Sequence, residues 1–139
     1  MDDVIEALAK TSIFGELSKR HLGLIARVTD RIDIAEGQAL FTQGQPTTHM
    51  SIIVKGRARV EVDGAEVATL GPGDVIGELS MVDGEPASAT VTFTEPSTIF
   101  HTARTGFVPV WDKNPDISKA MLLAVVQRLR NTNALVAHS

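Results

Sequence analysis

Three observations predict a mainly β fold with helices at both ends. Glycines at positions 37, 44, 56, 64, 71, 73, 77 and 84 punctuate the middle of the sequence. Between them lie short runs of β-branched and apolar residues, the pattern of strands closed by tight turns. On either side, apolar residues recur at helical spacing instead. Evenly spaced short strands with glycine turns favour a closed barrel or jelly roll over a parallel sheet.

The elements follow in order. Up to about Thr29 the pattern is helical: Val4, Ile5 and Leu8 share one face, and Ser18 is placed to cap a second helix carrying Leu22, Ile25 and Val28. Ser51–Val54, Ala58–Val62, Val67–Leu70 and Ala89–Phe93 are predicted strands. Asp63 and Gly64 separate two of them as a two-residue hairpin turn, whose central positions both require positive φ. A terminal helix from Pro115 to about Ala137 starts cleanly, with Asn114 as N-cap, proline at the first helical position and Asp116 near the positive end of the dipole. The 139 residues suit a single domain: helices over 1–29, the β roll over 30–101 and helices over 104–139.

Composition removes several function classes. Thirteen basic against seventeen acidic residues give a net charge of −4, and no basic block compensates, so a nucleic-acid partner is not expected. The absence of cysteine excludes disulfides, thiolate nucleophiles and Cys-ligated metal centres. The four histidines, at 21, 49, 101 and 138, form neither an i, i+4 nor an i, i+2 pair, so no metal site is expected. With no nucleophile elbow, Walker loop or dinucleotide fingerprint either, the chain does not read as an enzyme. Residues 1–10 carry neither a basic n-region nor an apolar h-region, so no signal peptide is expected, and the longest apolar run, Met121–Val126, is too short to span a bilayer. A soluble, cytoplasmic protein is expected.

One stretch, Gly71 to Val91, carries a specific chemical signal. A strand ending at Ile76 meets a turn at Gly77, then one helical turn over Glu78–Met81, and a second turn at Gly84 to Pro86 leads back into a strand. Gly77 permits close approach of a ligand to the backbone, and the N–H groups of Glu78, Leu79 and Ser80 can face an anion. Ser88 adds a hydroxyl. Glu78 can accept hydrogen bonds from a diol such as ribose, or can simply cap the short helix.

The stretch resembles the phosphate-binding cassette of cyclic nucleotide-binding domains, the family of bacterial catabolite activators and protein kinase A regulatory subunits. Gly77, Glu78 and Leu79 match its first part, and Pro86, Ser88, Ala89, Thr90 and Val91 its second. Similar segments run outward: Phe14 to Leu22, Glu36 to Gly44, Ile52 to Val60 and Leu70 to Gly77. The resemblance implies an eight-stranded antiparallel jelly roll and a cyclic nucleotide ligand, cyclic AMP before cyclic GMP. The sequence departs from the family at one position: Ala87 stands where the cassette carries its arginine. Loss of that charge-assisted contact, about 1.5–3 kcal/mol, predicts micromolar or poorer binding. Arg57, Arg59 and Arg104 are the nearest cations in sequence that could replace it.

In the terminal helix, Leu122, Val125, Leu129 and Val136 form an a/d-like stripe, while Ile117, Met121 and Ala124 offer a second apolar face. The stripe either packs on the chain's own roll or forms a homodimer seam; the resemblance implies the seam, and places Thr132 and Asn133 near the base. Six residues follow Asn133, so an attached helix-turn-helix is not expected, and the output would be a separate partner protein, which the sequence does not name. Two readings result: a stand-alone sensory module with a weak cyclic nucleotide site, or a dimeric interaction scaffold that binds no nucleotide.

Overall fold

The computed structural model describes the backbone of residues 1–138 and the side chains of residues 1–130. Two short helices, α1 (Asp2–Ala9) and α2 (Lys19–Ala26), precede eight strands: β1 (Thr29–Ile34), β2 (Ala39–Phe41), β3 (His49–Lys55), β4 (Ala58–Val62), β5 (Ala65–Leu70), β6 (Val75–Ile76), β7 (Thr90–Phe93) and β8 (Ser97–Ala103). A short helix, α3 (Glu78–Asp83), lies between β6 and β7, and α4 (Arg104–Lys113) and α5 (Pro115–His138) close the chain. The strands form two antiparallel four-stranded sheets, ordered β1-β8-β3-β6 and β2-β7-β4-β5. This is the predicted jelly roll.

Local chemistry explains the boundaries. Ser18 caps α2 as expected, its side chain accepting from the His21 N–H at 3.2 Å. Asp63 and Gly64 both adopt positive φ, 53° and 81°, and close the β4–β5 hairpin. Asn114 stands at the expected N-cap position of α5 with an extended backbone, but its side chain serves the preceding helix. Its side chain turns back, with Nδ2 donating to the Val110 carbonyl of α4 at 2.7 Å, while only its main-chain carbonyl starts α5, accepting from Ile117 and Ser118. The Asn114 amide thereby satisfies an end carbonyl of the preceding helix.

Alternation along the strands splits the core in two. Ile53, Ile76, Val91, Phe93 and Ile99 point between the sheets. Met50, Ile52 and Phe100 point outward beneath the helices, joining Leu8, Phe14, Phe107, Ile117 and Met121. The Phe14 and Phe107 rings meet edge-on, with centroids 6.2 Å apart. The β6–α3–β7 connection lies on the same side, Met81 of α3 joining the core beneath the helices. Among the described residues no helix is long and apolar enough to cross a membrane.

Candidate functional site

The site begins at Gly77, which ends β6 with φ 87°. A Cβ there would lie 2.7 Å from the His49 carbonyl and 3.0 Å from the Phe41 ring, so both the dihedral and the space demand glycine. Helix α3 runs to Asp83, two residues beyond the single turn expected, and stops at Gly84 in the left-handed region. The return segment is pinned by two backbone hydrogen bonds: Ala87 donates to the Gln45 carbonyl at 3.0 Å and its carbonyl accepts from Gly44 at 2.9 Å. The chain thereby brings residues 77–80 and 87–88 to opposite sides of one opening.

That opening is a cavity of about 380 Å³. Gly77, Glu78, Leu79, Ser80, Ala87 and Ser88, the cassette residues expected from the sequence, all border it. Apolar side chains of the strands, including Phe41, Val60, Ile76 and Val91, supply the rest of its wall. Glu78 is only 5% exposed. A carboxylate so far removed from water needs a charged or hydrogen-bonding partner, and it has one in Arg128 of α5, whose guanidinium pairs with Oε1. The pair also borders a larger open groove of about 830 Å³ that runs along α5 towards Asp116 and Ser18.

Arg128 is a residue of the candidate site that the sequence reading did not include. Its signal was present: Ile117, Met121, Ala124 and Arg128 are spaced 4-3-4, so Arg128 continues the inward face of α5. The three cations nearest the cassette in sequence do not take the missing arginine's place. Arg57 lies near Glu95, Arg59 pairs with Glu61, and Arg104 clamps α3 from outside, its Nε donating to the Met81 carbonyl at 3.1 Å.

Behind Gly77, the rings of His49 and His101 stack at 3.8 Å with an interplanar angle of 18°. Ser51 Oγ shares a hydrogen bond with His101 Nδ1 at 2.9 Å, and Thr48 Oγ1 with His49 Nδ1 at 2.8 Å. Burial first, and the neighbouring His49 second, push the His101 imidazole down to about 4, against an opposing pull from Asp30. At neutral pH His101 is therefore uncharged and adds no cation to the cavity.

On α5, Ile117 and Met121 are fully buried against the chain's own core, whereas Leu122 and Leu129 are 61% and 59% exposed. Val125 is half-buried. Ile117 and Met121 thus face inward and Leu122 and Leu129 outward, while Ala124 and Val125 share the same half-buried state. The side chains of Thr132, Asn133 and Val136 lie outside the described residues.

Comparison with known proteins agrees with this architecture. A sequence profile of the cyclic nucleotide-binding domain matches residues 31–114. The CRP-like cAMP-activated global transcriptional regulator of Mycobacterium tuberculosis is 27% identical over 133 residues, 92% of this chain; the chain spans 59% of that protein's length. The N-terminal domain of a transcriptional regulator from Streptomyces coelicolor superposes with a TM-score of 0.78 at 27% identity, covering 94% of each chain. The Catabolite Activator Protein of Thermus thermophilus gives a TM-score of 0.80 at 22% identity, over 90% of this chain and 61% of that one. With the profile covering more than half of the sequence, and a two-sheet roll carrying its cassette between β6 and β7, this chain belongs to the cyclic nucleotide-binding domain family.

Proposed function

We propose that the chain is a regulatory, non-catalytic module that binds a cyclic nucleotide, cyclic AMP in preference to cyclic GMP, in the cavity beside α3. The observation that carries this reading is a buried carboxylate, Glu78, paired with an arginine on the wall of a cavity of about 380 Å³. Ribose hydroxyls donate to Glu78. The cyclic phosphate sits against the backbone of residues 77–80 and the Ser88 hydroxyl. Arg128 contributes the positive charge that Ala87 does not, and Thr132 and Asn133, whose side chains lie outside the described residues, are the base contacts that the family resemblance offers. The cAMP-activated mycobacterial relative supports the choice of nucleotide.

Arg128 is already engaged with Glu78, so its attraction for phosphate is partly spent, and the expected affinity lies between about 1 μM and 1 mM. Calorimetric titration with cyclic AMP and cyclic GMP tests the reading. Saturable heat that disappears in Glu78→Ala is the expected result; no heat from wild type and from Ala87→Arg alike would overturn it.

The scaffold reading draws on the exposed stripe of α5, where Leu122, Leu123 and Leu129 are each more than half exposed. In both readings that stripe, with Val125 and Val136, forms a homodimer seam in a cytoplasmic protein, and an output partner receives the signal. The two readings separate on the titration alone.

A further inference from the structure

Among the described residues, one buried side-chain oxygen or nitrogen has no hydrogen-bond partner: Oγ1 of Thr47. Buried hydroxyls in folded proteins are almost always paired, because burial removes their bonds to water and an unpaired group recovers nothing. Thr47 belongs to the wall of the ligand cavity, as do Ala87 and Ser88. Its loop is fixed there on both sides. Gly44 and Gln45 are bonded to the backbone of Ala87, and the Thr48 carbonyl accepts from the Arg104 N–H at 2.7 Å. Thr47 is therefore held on the same wall as the position where a methyl replaces the cassette's guanidinium.

We propose that Thr47 is a ligand-contacting, specificity-determining residue whose hydroxyl donates a hydrogen bond to an acceptor oxygen of the bound molecule beside Ala87. Rotation about the single Cα–Cβ bond exchanges hydroxyl and methyl, and so can turn the sealed oxygen towards an occupant. Thr47 and Ser88 then offer two neutral donors where a guanidinium would offer a charge. Such a site selects its ligand by the placement of acceptor oxygens more than by net charge. The inference rests on the cyclic nucleotide reading and adds the group that receives the oxygen nearest Ala87.

Thr47→Val and Thr47→Ser, each followed by thermal unfolding without ligand and by calorimetric titration with cyclic AMP, test it. Valine keeps the shape and removes the orphaned hydroxyl. The ligand-free variant is expected to melt above wild type while binding cyclic AMP roughly tenfold more weakly. Serine retains the donor and is expected to bind within about threefold of wild type. A valine variant that melts lower would make the hydroxyl a structural member, and one that binds as tightly as wild type would remove it from the ligand's contacts; either overturns the proposal. If wild type and Ala87→Arg also give no heat, the cyclic nucleotide reading itself falls and this inference with it. That outcome is recognisable because heat is missing throughout, not from the valine variant alone.

Discussion

Replacing Arg128 by Met keeps the aliphatic stem of the side chain and deletes its charge, leaving the Glu78 carboxylate in its pocket without the guanidinium. The cost follows from where the two partners sit. The Glu78 side chain is 6% exposed and that of Arg128 is 52% exposed. The pair therefore falls between an exposed ion pair, worth about 0–1 kcal/mol, and a buried one, whose disruption costs about 3–5 kcal/mol. We expect a loss of about 2 kcal/mol. A chain of this size unfolds with about 2 cal/mol/K of entropy per residue, so the melting temperature should fall by roughly 7 °C. Glu78→Gln strands a guanidinium that can still reach water and should cost less, about 1 kcal/mol. The double variant removes both charges and should be more stable than the sum of the two losses predicts, with a coupling energy of about 2 kcal/mol. Denaturant unfolding of the four proteins measures the cycle. An Arg128→Met variant within about 0.5 kcal/mol of wild type, or a strictly additive cycle, would refute the idea that α5 is fastened to the cassette through this pair.

Three further outcomes are expected. Leu129→Glu places a charge in the exposed stripe of α5 and should convert a homodimer into a folded monomer by light scattering; an unchanged mass would show that the stripe forms no seam. Ala87→Arg should tighten cyclic AMP binding by roughly 1–3 kcal/mol in a calorimetric titration, and unchanged affinity would mean that the phosphate does not approach residue 87. His101, held at about 4 against an ordinary 6.5, binds its proton less readily in the folded than in the unfolded chain. Its contribution to stability is therefore complete above pH 6.5 and declines as the pH falls towards 4, by about 1 kcal/mol once solvent screening is allowed for. His101→Gln should flatten that part of the stability–pH curve, and an equally steep curve would assign the slope to other groups.

Several of the strands legible in the sequence have a turn residue at an end, although β2, between Gly37 and Gly44, was too short at three residues to show a pattern. Asp63 and Gly64 mark β4 and β5, and Gly77 marks the end of β6. β1 and β8 escaped individual assignment for opposite reasons. β1 alternates in charged residues, Asp30, Arg31 and Asp33, and shows only Ile34 fully buried, so its apolar signal is faint. β8 is buried on both faces, inside the roll and beneath the helices, and loses the alternation that identifies a strand. The cassette was legible because glycine, acid and hydroxyl positions are local in sequence. Its cation was not, because Arg128 is fifty residues from Glu78 and only the closing of α5 over the roll joins them. Thr47 carried no signal at all; an unpaired hydroxyl is a property of its surroundings.

Arg104 is both the first residue of α4 and the clamp on α3. Its N–H holds the Thr48 carbonyl, its Nε holds the Met81 carbonyl, and its guanidinium lies 3.7 Å from the Cβ position of Gly84. A shift of α3 around an occupant thus pulls on the root of the α4–α5 segment. Helix α5 holds the other end of the same short helix, where Arg128 pairs with Glu78 at the start of α3. Helix α3 is thus held near both of its ends by the α4–α5 segment, so the cassette and the last two helices form one connected unit rather than a site with a detached arm.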